Sequence, residues 1–133
     1  MYIFDGAMGT MLQAAGLEEG YCPELFNIER PEVVKDIHAQ YLQHGSDVIT
    51  TNTFGACGLK LEDYDLQDRV REINIAAVKV AKEAIAETKP SARVAGSMGP
   101  TGRFLQPLGN MSFDSIYDTY REQAEALIEG GVD

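Results

Sequence analysis

The chain has 133 residues, of which 44% are hydrophobic, and its formal net charge is −10 at pH 7. This length accommodates one domain at most, and the acidic balance argues against nucleic acid as a partner, because phosphates require basic patches. No apolar run approaches the length of a membrane span, and the N-terminus lacks the pattern of a secretory leader. We therefore expect a cytoplasmic protein with neither disulfides nor membrane contact.

The first predicted unit consists of a strand, a polar loop and two helices. The strand is very short, residues 2–4, and the loop Asp5–Thr10 follows it. A short apolar helix is expected from Thr10 to Ala15, whereas residues 18–30 have no clean period and are expected to form an ordered loop. From Pro31 to Gly45 the apolar residues recur at helical spacing, which predicts an amphipathic helix.

The second predicted unit begins with a strand over residues 47–51, which are rich in β-branched side chains. A loop of Thr, Asn and Gly follows this strand, and residues 60–65 are expected to be irregular. A long helix is predicted over residues 66–88, with its end set by Pro90. Its inner face is expected to consist of small and aliphatic residues: Val70, Ile73, Ala77, Val80, Ala81, Ala84 and Ile85.

The third predicted unit has a strand over residues 92–96 and a long loop that contains two prolines. Ser112 is a suitable N-cap for the helix that follows, and Gly130-Gly131 is expected to end it. The apolar residues of this helix are expected to share one face: Ile116, Tyr120, Ala124, Leu127 and Ile128.

Three polar loops that begin about 45 residues apart, each after an apolar stretch, are typical of repeated βα units. In parallel α/β folds the loops after the strands face the ligand, so all three should converge on one site. The final Gly130–Asp133 is similar to Gly45–Asp47, which leads into the second strand, so we expect it to lead into a fourth. The predicted fold class is α/β: residues 1–133 are the N-terminal portion of a (β/α)8 TIM barrel, truncated at the start of the fourth strand.

Asp5 ends the first predicted strand, and the backbone that follows it is unhindered at Gly6. The amides after Asp5 can form an anion-binding nest for a carboxylate, while the Asp5 carboxylate pairs with an ammonium group. Together these groups would recognise an amino acid. The alternative is that Asp5 caps the following turn and that the glycines serve the geometry of this turn.

The other two loops can likewise either bind a ligand or have a purely structural role. Thr51–Thr53 offers hydroxyl and amide groups either to a ligand or to local bonds within the loop. Gly96–Gly102 is neither a P-loop nor a dinucleotide-binding pattern, so it is a weak signal for a nucleotide. His38 and His44 are six positions apart on one helix and do not share a face, so metal binding by this pair is not expected.

Five segments of the chain appear in the order seen in homocysteine S-methyltransferases: Asp5–Thr10, Pro23–Asn27, Thr50–Ala56, Gly96–Gly102 and Gly130–Asp133. The chain as a whole resembles the start of the homocysteine-binding module of the cobalamin-dependent methionine synthases in this family. Betaine-dependent members are more distant. Several segments matching in order are more specific than any single loop.

The resemblance implies a barrel that binds homocysteine and a zinc ion at the C-terminal ends of its strands. The family's zinc is held by three cysteine thiolates from later strands and keeps the substrate sulfur as a thiolate, which attacks a methyl group to give methionine. The implied donor is methylcobalamin, carried by another module and recharged from 5-methyltetrahydrofolate, with betaine or S-methylmethionine as alternatives. Neither Cys22 nor Cys57 matches a zinc ligand. No catalytic or metal-binding residue is therefore expected within the chain, and the chain alone is expected to be inactive.

The same resemblance assigns substrate-binding positions in this sequence. Asp5 matches the residue that receives the homocysteine amino group, and the Gly6 and Ala7 amides match those that receive its carboxylate. Thr53 and Gly99 match positions that line the pocket. Besides homocysteine, the implied partners are the remainder of the barrel and the cobalamin and folate modules.

Two functions from other classes stay open at this point. The chain can be a non-catalytic small-molecule-binding module that reuses the same loops. It can also be a structural fragment that associates with another chain, or with a copy of itself, through open sheet edges.

Overall fold

The structure is a computed structural model that describes residues 1–133. It is a mixed α/β arrangement of six helices, two strands and three short 3₁₀ turns. The helices are α1 Gly9–Ala14, α2 Phe26–Glu29, α3 Pro31–Gln43, α4 Gly58–Leu61, α5 Val70–Thr88 and α6 Phe113–Gly130. The strands are β1 Val48–Thr50 and β2 Arg93–Ala95, and the 3₁₀ turns are Pro23–Leu25, Glu62–Tyr64 and Gln67–Arg69. None of the helices combines the length and the apolarity that spanning a membrane requires.

The two strands pair in parallel, with Ile49 of β1 opposite Val94 of β2. This confirms the parallel arrangement expected for the second and third units. The first predicted strand, residues 2–4, is reduced to a single parallel bridge between Phe4 and Val48. The backbone N–H of Asp5 donates to the Val48 carbonyl at 3.0 Å, so the segment lies beside β1 without forming a regular strand. The ladder does not extend, because the Ile3 N–H donates to the Asp47 carboxylate and the Thr50 N–H donates to the Asp5 carboxylate, so neither bonds to a backbone carbonyl of the other segment.

Three long helices cover one face of this small sheet. The main core joins the inward residues of both strands to α3, α5 and α6: Leu42, Ile49, Val78, Ala81, Ala84, Ile85, Val94 and Leu127. All seven residues predicted for the inner face of α5 are buried. The opposite face of the sheet is open, since Tyr2 and Phe4 are 61% and 57% exposed.

The helix limits follow the signals in the sequence. Pro31 is the first residue of α3. The Ser112 hydroxyl accepts the backbone N–H of Ser115 at 3.1 Å, which confirms Ser112 as the N-cap of α6. Gly131 follows α6 with a φ of 90°, a left-handed conformation that glycine adopts without strain.

Three local predictions were wrong. Residues 18–30 contain a 3₁₀ turn and α2, and residues 60–65 carry the end of α4 and a second 3₁₀ turn, because short helical turns leave no readable period. Ile128 is 69% exposed, and Ala126 takes its place on the buried face of α6. The buried face also includes Gln123, a polar residue that a search for apolar periodicity passes over.

Two aspartates that follow glycine-ended helices make the same contacts. Asp47 donates its N–H to the Ile3 carbonyl at 2.7 Å, and its carboxylate accepts the Ile3 N–H at 3.0 Å. Asp133 donates its N–H to the Val94 carbonyl at 2.9 Å, and its carboxylate accepts the Val94 N–H at 2.8 Å. Asp133 therefore lies beside β2 in the way that Asp47 lies beside the first segment.

Candidate functional site

A cavity of about 300 Å³ lies at the carboxyl ends of the strands. As expected, all three polar loops reach it, together with the segment before α2: Met8, Gly9, Pro23, Glu24, Thr50, Thr51, Asn52, Thr53, Phe54 and Ser97. A larger groove of about 570 Å³ is lined by residues from α1, α3 and their flanks, with no residue from a strand or its loop. The strand-end cavity is therefore the candidate site, because ligands of parallel α/β folds bind at this end of the sheet.

Asp5 lies at the start of the first loop and is half-buried. Its carboxylate accepts the backbone N–H of Thr50 at 2.9 Å and the hydroxyl of the same residue at 3.0 Å. Burial raises the pKa of this carboxyl above its usual value, and the hydrogen bonds from Thr50 oppose that rise. Asp5 thus ties the first segment to β1, and each of its oxygens keeps a further lone pair for a ligand.

Gly6 and Ala7 are exposed. Their backbone N–H groups donate no hydrogen bond within the protein. The Ala7 carbonyl, in contrast, accepts a hydrogen bond from the hydroxyl of Tyr41 on α3, at 2.8 Å. The two residues directly precede Met8 and Gly9, which line the cavity. The nest amides therefore lie beside the cavity without forming its wall.

Thr53 is the one predicted site residue that lines the cavity itself. Its side chain is fully buried, with its hydroxyl 2.7 Å from the Ser97 carbonyl and 2.6 Å from the Thr51 hydroxyl. The Thr53 carbonyl accepts the side-chain amide of Gln123 at 2.8 Å. These contacts link the loops after β1 and β2 to α6, so the polar atoms of Thr53 already serve the architecture of the site.

Gly99 lies under the second loop and is absent from the cavity lining. Its N–H donates to the Phe54 carbonyl at 3.0 Å, and its own carbonyl accepts the Tyr120 hydroxyl at 3.1 Å. A Cβ atom at this position would lie 2.5 Å from the Phe54 carbonyl oxygen, so only glycine fits. Gly99 therefore sets the position of Phe54 and contributes to the pocket through its shape.

Glu24 is a site residue that sequence reasoning missed. It lines the cavity, is 5% exposed, and accepts the Gly55 N–H at 2.7 Å and the Cys22 thiol at 3.3 Å. Asn27 supports the same region by donating to the Asn52 carbonyl at 2.8 Å. Both residues belong to the stretch without helical period. The family resemblance includes the segment Pro23–Asn27, but it assigns no role to either residue.

The described residues do not fit a zinc site. No group of three or more His, Cys, Asp or Glu side chains is placed to hold a metal ion. Burial, with the Glu24 carboxylate beside it, raises the pKa of the Cys22 thiol to about 12, and burial also raises the pKa of Cys57. A cysteine binds zinc as a thiolate, and at both positions the surroundings favour the protonated thiol. His38 is fully buried within α3, and neither of its ring nitrogens has a partner in the protein.

Residues 2–133 match the sequence model described as homocysteine S-methyltransferase. The chain belongs to this family. It is 41% identical to methionine synthase from Mycobacterium tuberculosis and 40% identical to methionine synthase from Mycobacterium leprae, each over 97% of its length. The matched region is 12% and 11%, respectively, of those two proteins.

The fold is similar to half of a solved methyltransferase of this family. The oxidized form of the homocysteine methyltransferase MmuM from Escherichia coli superposes with a TM-score of 0.81 and is 25% identical. This match covers all of the present chain and 51% of that one. The metallated form of the same protein superposes with a TM-score of 0.81 and is 26% identical. That match covers 99% of the present chain and 51% of the MmuM chain.

Proposed function

We propose that residues 1–133 form the N-terminal portion of a homocysteine-binding (β/α)8 barrel in an enzyme that methylates homocysteine to methionine. The family match over residues 2–133 is the observation that carries this proposal. The position of the cavity supports it, since substrates of such barrels bind at the carboxyl ends of the strands. The family resemblance implies methylcobalamin, recharged from 5-methyltetrahydrofolate, as the donor, with betaine or S-methylmethionine as alternatives. The similarity to two methionine synthases supports methionine as the product.

The proposed substrate contacts lie on the first loop. Asp5 receives the homocysteine ammonium group through the lone pairs that Thr50 leaves free. The unpaired N–H groups of Gly6 and Ala7 receive the carboxylate. Thr53 and Gly99 act on the pocket through its shape, because their polar atoms bond within the protein.

The rest of the catalytic apparatus is proposed to lie outside these residues. Cys22 and Cys57 do not fit zinc, so the ligands that the family resemblance implies would come from other strands of the barrel. The two hydrogen bonds between Asp133 and Val94 support the proposal that a further strand pairs with β2. Cobalamin and folate modules would complete the enzyme, which we place in the cytoplasm.

The test uses the complete enzyme that carries this segment, with Asp5→Asn as the variant. Asparagine can still accept the Thr50 N–H and donate to its hydroxyl, so the melting temperature should stay nearly unchanged. Loss of the charge-assisted bond, about 1.5–3 kcal/mol, should weaken homocysteine binding about tenfold to a hundredfold in calorimetry. Absence of methionine formation from homocysteine with each of the three donors would refute the function. A lower melting temperature with unchanged affinity would make Asp5 purely structural.

The open sheet face supports a second candidate, self-association. Tyr2, Ile3 and Phe4 are each more than half exposed on the free edge of the sheet. In a complete barrel this face is interior, whereas in the chain alone it is free to meet a copy of itself. Sedimentation of the isolated chain over a range of concentrations decides the point, and a constant monomer mass would remove this candidate.

A further inference from the structure

The loop before the cavity, residues 5–8, is held from two sides. On one side the Asp5 carboxylate accepts both the N–H and the hydroxyl of Thr50. On the other side the Tyr41 hydroxyl donates to the Ala7 carbonyl at 2.8 Å. Tyr41 is 34 positions further along the chain, so α3 as well as the sheet determines how this loop lies.

Gly6 is the residue at which the Tyr41 ring meets the loop. A Cβ atom at this position would lie 3.0 Å from the Tyr41 hydroxyl oxygen and 3.1 Å from Cε1. The ring is therefore packed directly on the backbone, and a side chain at this position would require the ring to move by a few tenths of an ångström. The close approach at Gly6 and the hydrogen bond at Ala7 involve the same tyrosine.

The bond from Tyr41 also determines the direction of the next backbone donor. The Ala7 carbonyl and the Met8 N–H belong to one trans peptide unit, in which they point in opposite directions. Because the carbonyl is drawn toward α3, the Met8 N–H points away from that helix. Met8 lines the cavity, and the N–H groups of Gly6, Ala7 and Met8 donate no hydrogen bond within the protein.

We propose that Tyr41 is a positioning residue for the substrate carboxylate: by holding the Ala7 carbonyl, it presets the Met8 N–H, which joins the Gly6 and Ala7 N–H groups in receiving this group. The inference rests on the proposed homocysteine-binding function. A donor that is fixed in advance needs no ordering when the ligand arrives, so the hydrogen bond from Tyr41 strengthens binding of a carboxylate. A ligand without a carboxylate gains nothing from it.

The test is Tyr41→Phe in the complete enzyme, which removes the hydroxyl and keeps the ring. KM and kcat are measured for homocysteine and for 3-aminopropane-1-thiol, which is homocysteine without its carboxylate. The KM for homocysteine should rise about three- to tenfold, the effect of one neutral hydrogen bond. The kcat for homocysteine and the KM for the aminothiol should each stay within about twofold of the wild-type value.

Tyr21→Phe is the matched control, since the Tyr21 hydroxyl bonds to the Glu29 carboxylate and Tyr21 does not line the cavity. This variant should leave the ratio of the two KM values unchanged. If Tyr41→Phe also leaves the ratio unchanged, or raises both KM values equally, Tyr41 has only a structural role and the inference is overturned. Wild-type enzyme that does not turn over homocysteine would instead refute the proposed function, and the inference with it.

Discussion

His38 should make the stability of this protein fall with acidification more steeply than its carboxyl groups alone would. The side chain is completely buried in α3, and neither ring nitrogen has a partner in the protein. Burial lowers the pKa of His38 from 6.5 to about 4. The folded state therefore resists a proton that the unfolded state accepts.

The sign and size of the effect follow from these two pKa values. Well above pH 6.5 the histidine is largely neutral in both states and contributes little to the pH dependence. As the pH falls from 6.5 towards 4, the unfolded state takes up the proton first, and the free energy of unfolding decreases. The difference between the two pKa values lowers the free energy of unfolding by about 3 kcal/mol once the pH is below both of them, since one pKa unit is about 1.4 kcal/mol.

The assay is urea unfolding, followed by circular dichroism, of the wild-type chain and His38→Leu between pH 7.5 and 4.5. The variant should be equally stable or more stable at pH 7.5, because leucine removes two buried, unpartnered nitrogens. Its advantage should grow by about 2–3 kcal/mol toward pH 4.5. His44→Gln, which removes an exposed imidazole just after the same helix, is the control. A constant difference between wild type and His38→Leu across this range would refute the reasoning.

Two further predictions concern the core of the site and the metal. Gln123→Leu should destabilise the chain by about 1–3 kcal/mol in urea unfolding, because the Thr53 carbonyl and the Asn74 side-chain oxygen lose a buried donor. Glu122→Leu, on the exposed face of α6, is the control. Equal effects of the two variants would contradict the prediction. The purified chain should hold far less than one equivalent of zinc after dialysis, since Cys22 and Cys57 are buried thiols. Elemental analysis measures the zinc content. Stoichiometric zinc that is lost when either cysteine is mutated would overturn the prediction.

Local patterns in the sequence predicted the parts of the fold that local physics controls. The inner face of α5 follows from helical periodicity, and the start of α3 at Pro31 follows from its fixed φ and missing N–H. Ser112 and Gly131 limit α6 through contacts within a few residues. The convergence of the three loops was predictable as well, because parallel strands place their carboxyl ends at one edge.

Other features depended on contacts that no local pattern encodes. The first segment had an apolar pattern, yet only a bridge forms at Phe4, because the carboxylates of Asp47 and Asp5 accept the N–H groups that would extend the ladder. Glu24 reaches Gly55 across 31 positions, Tyr41 reaches Ala7 across 34, and Gln123 reaches Thr53 across 70. Such polar contacts form only after the helices have packed, because burial then requires each donor and acceptor to find whichever partner the fold has brought near it.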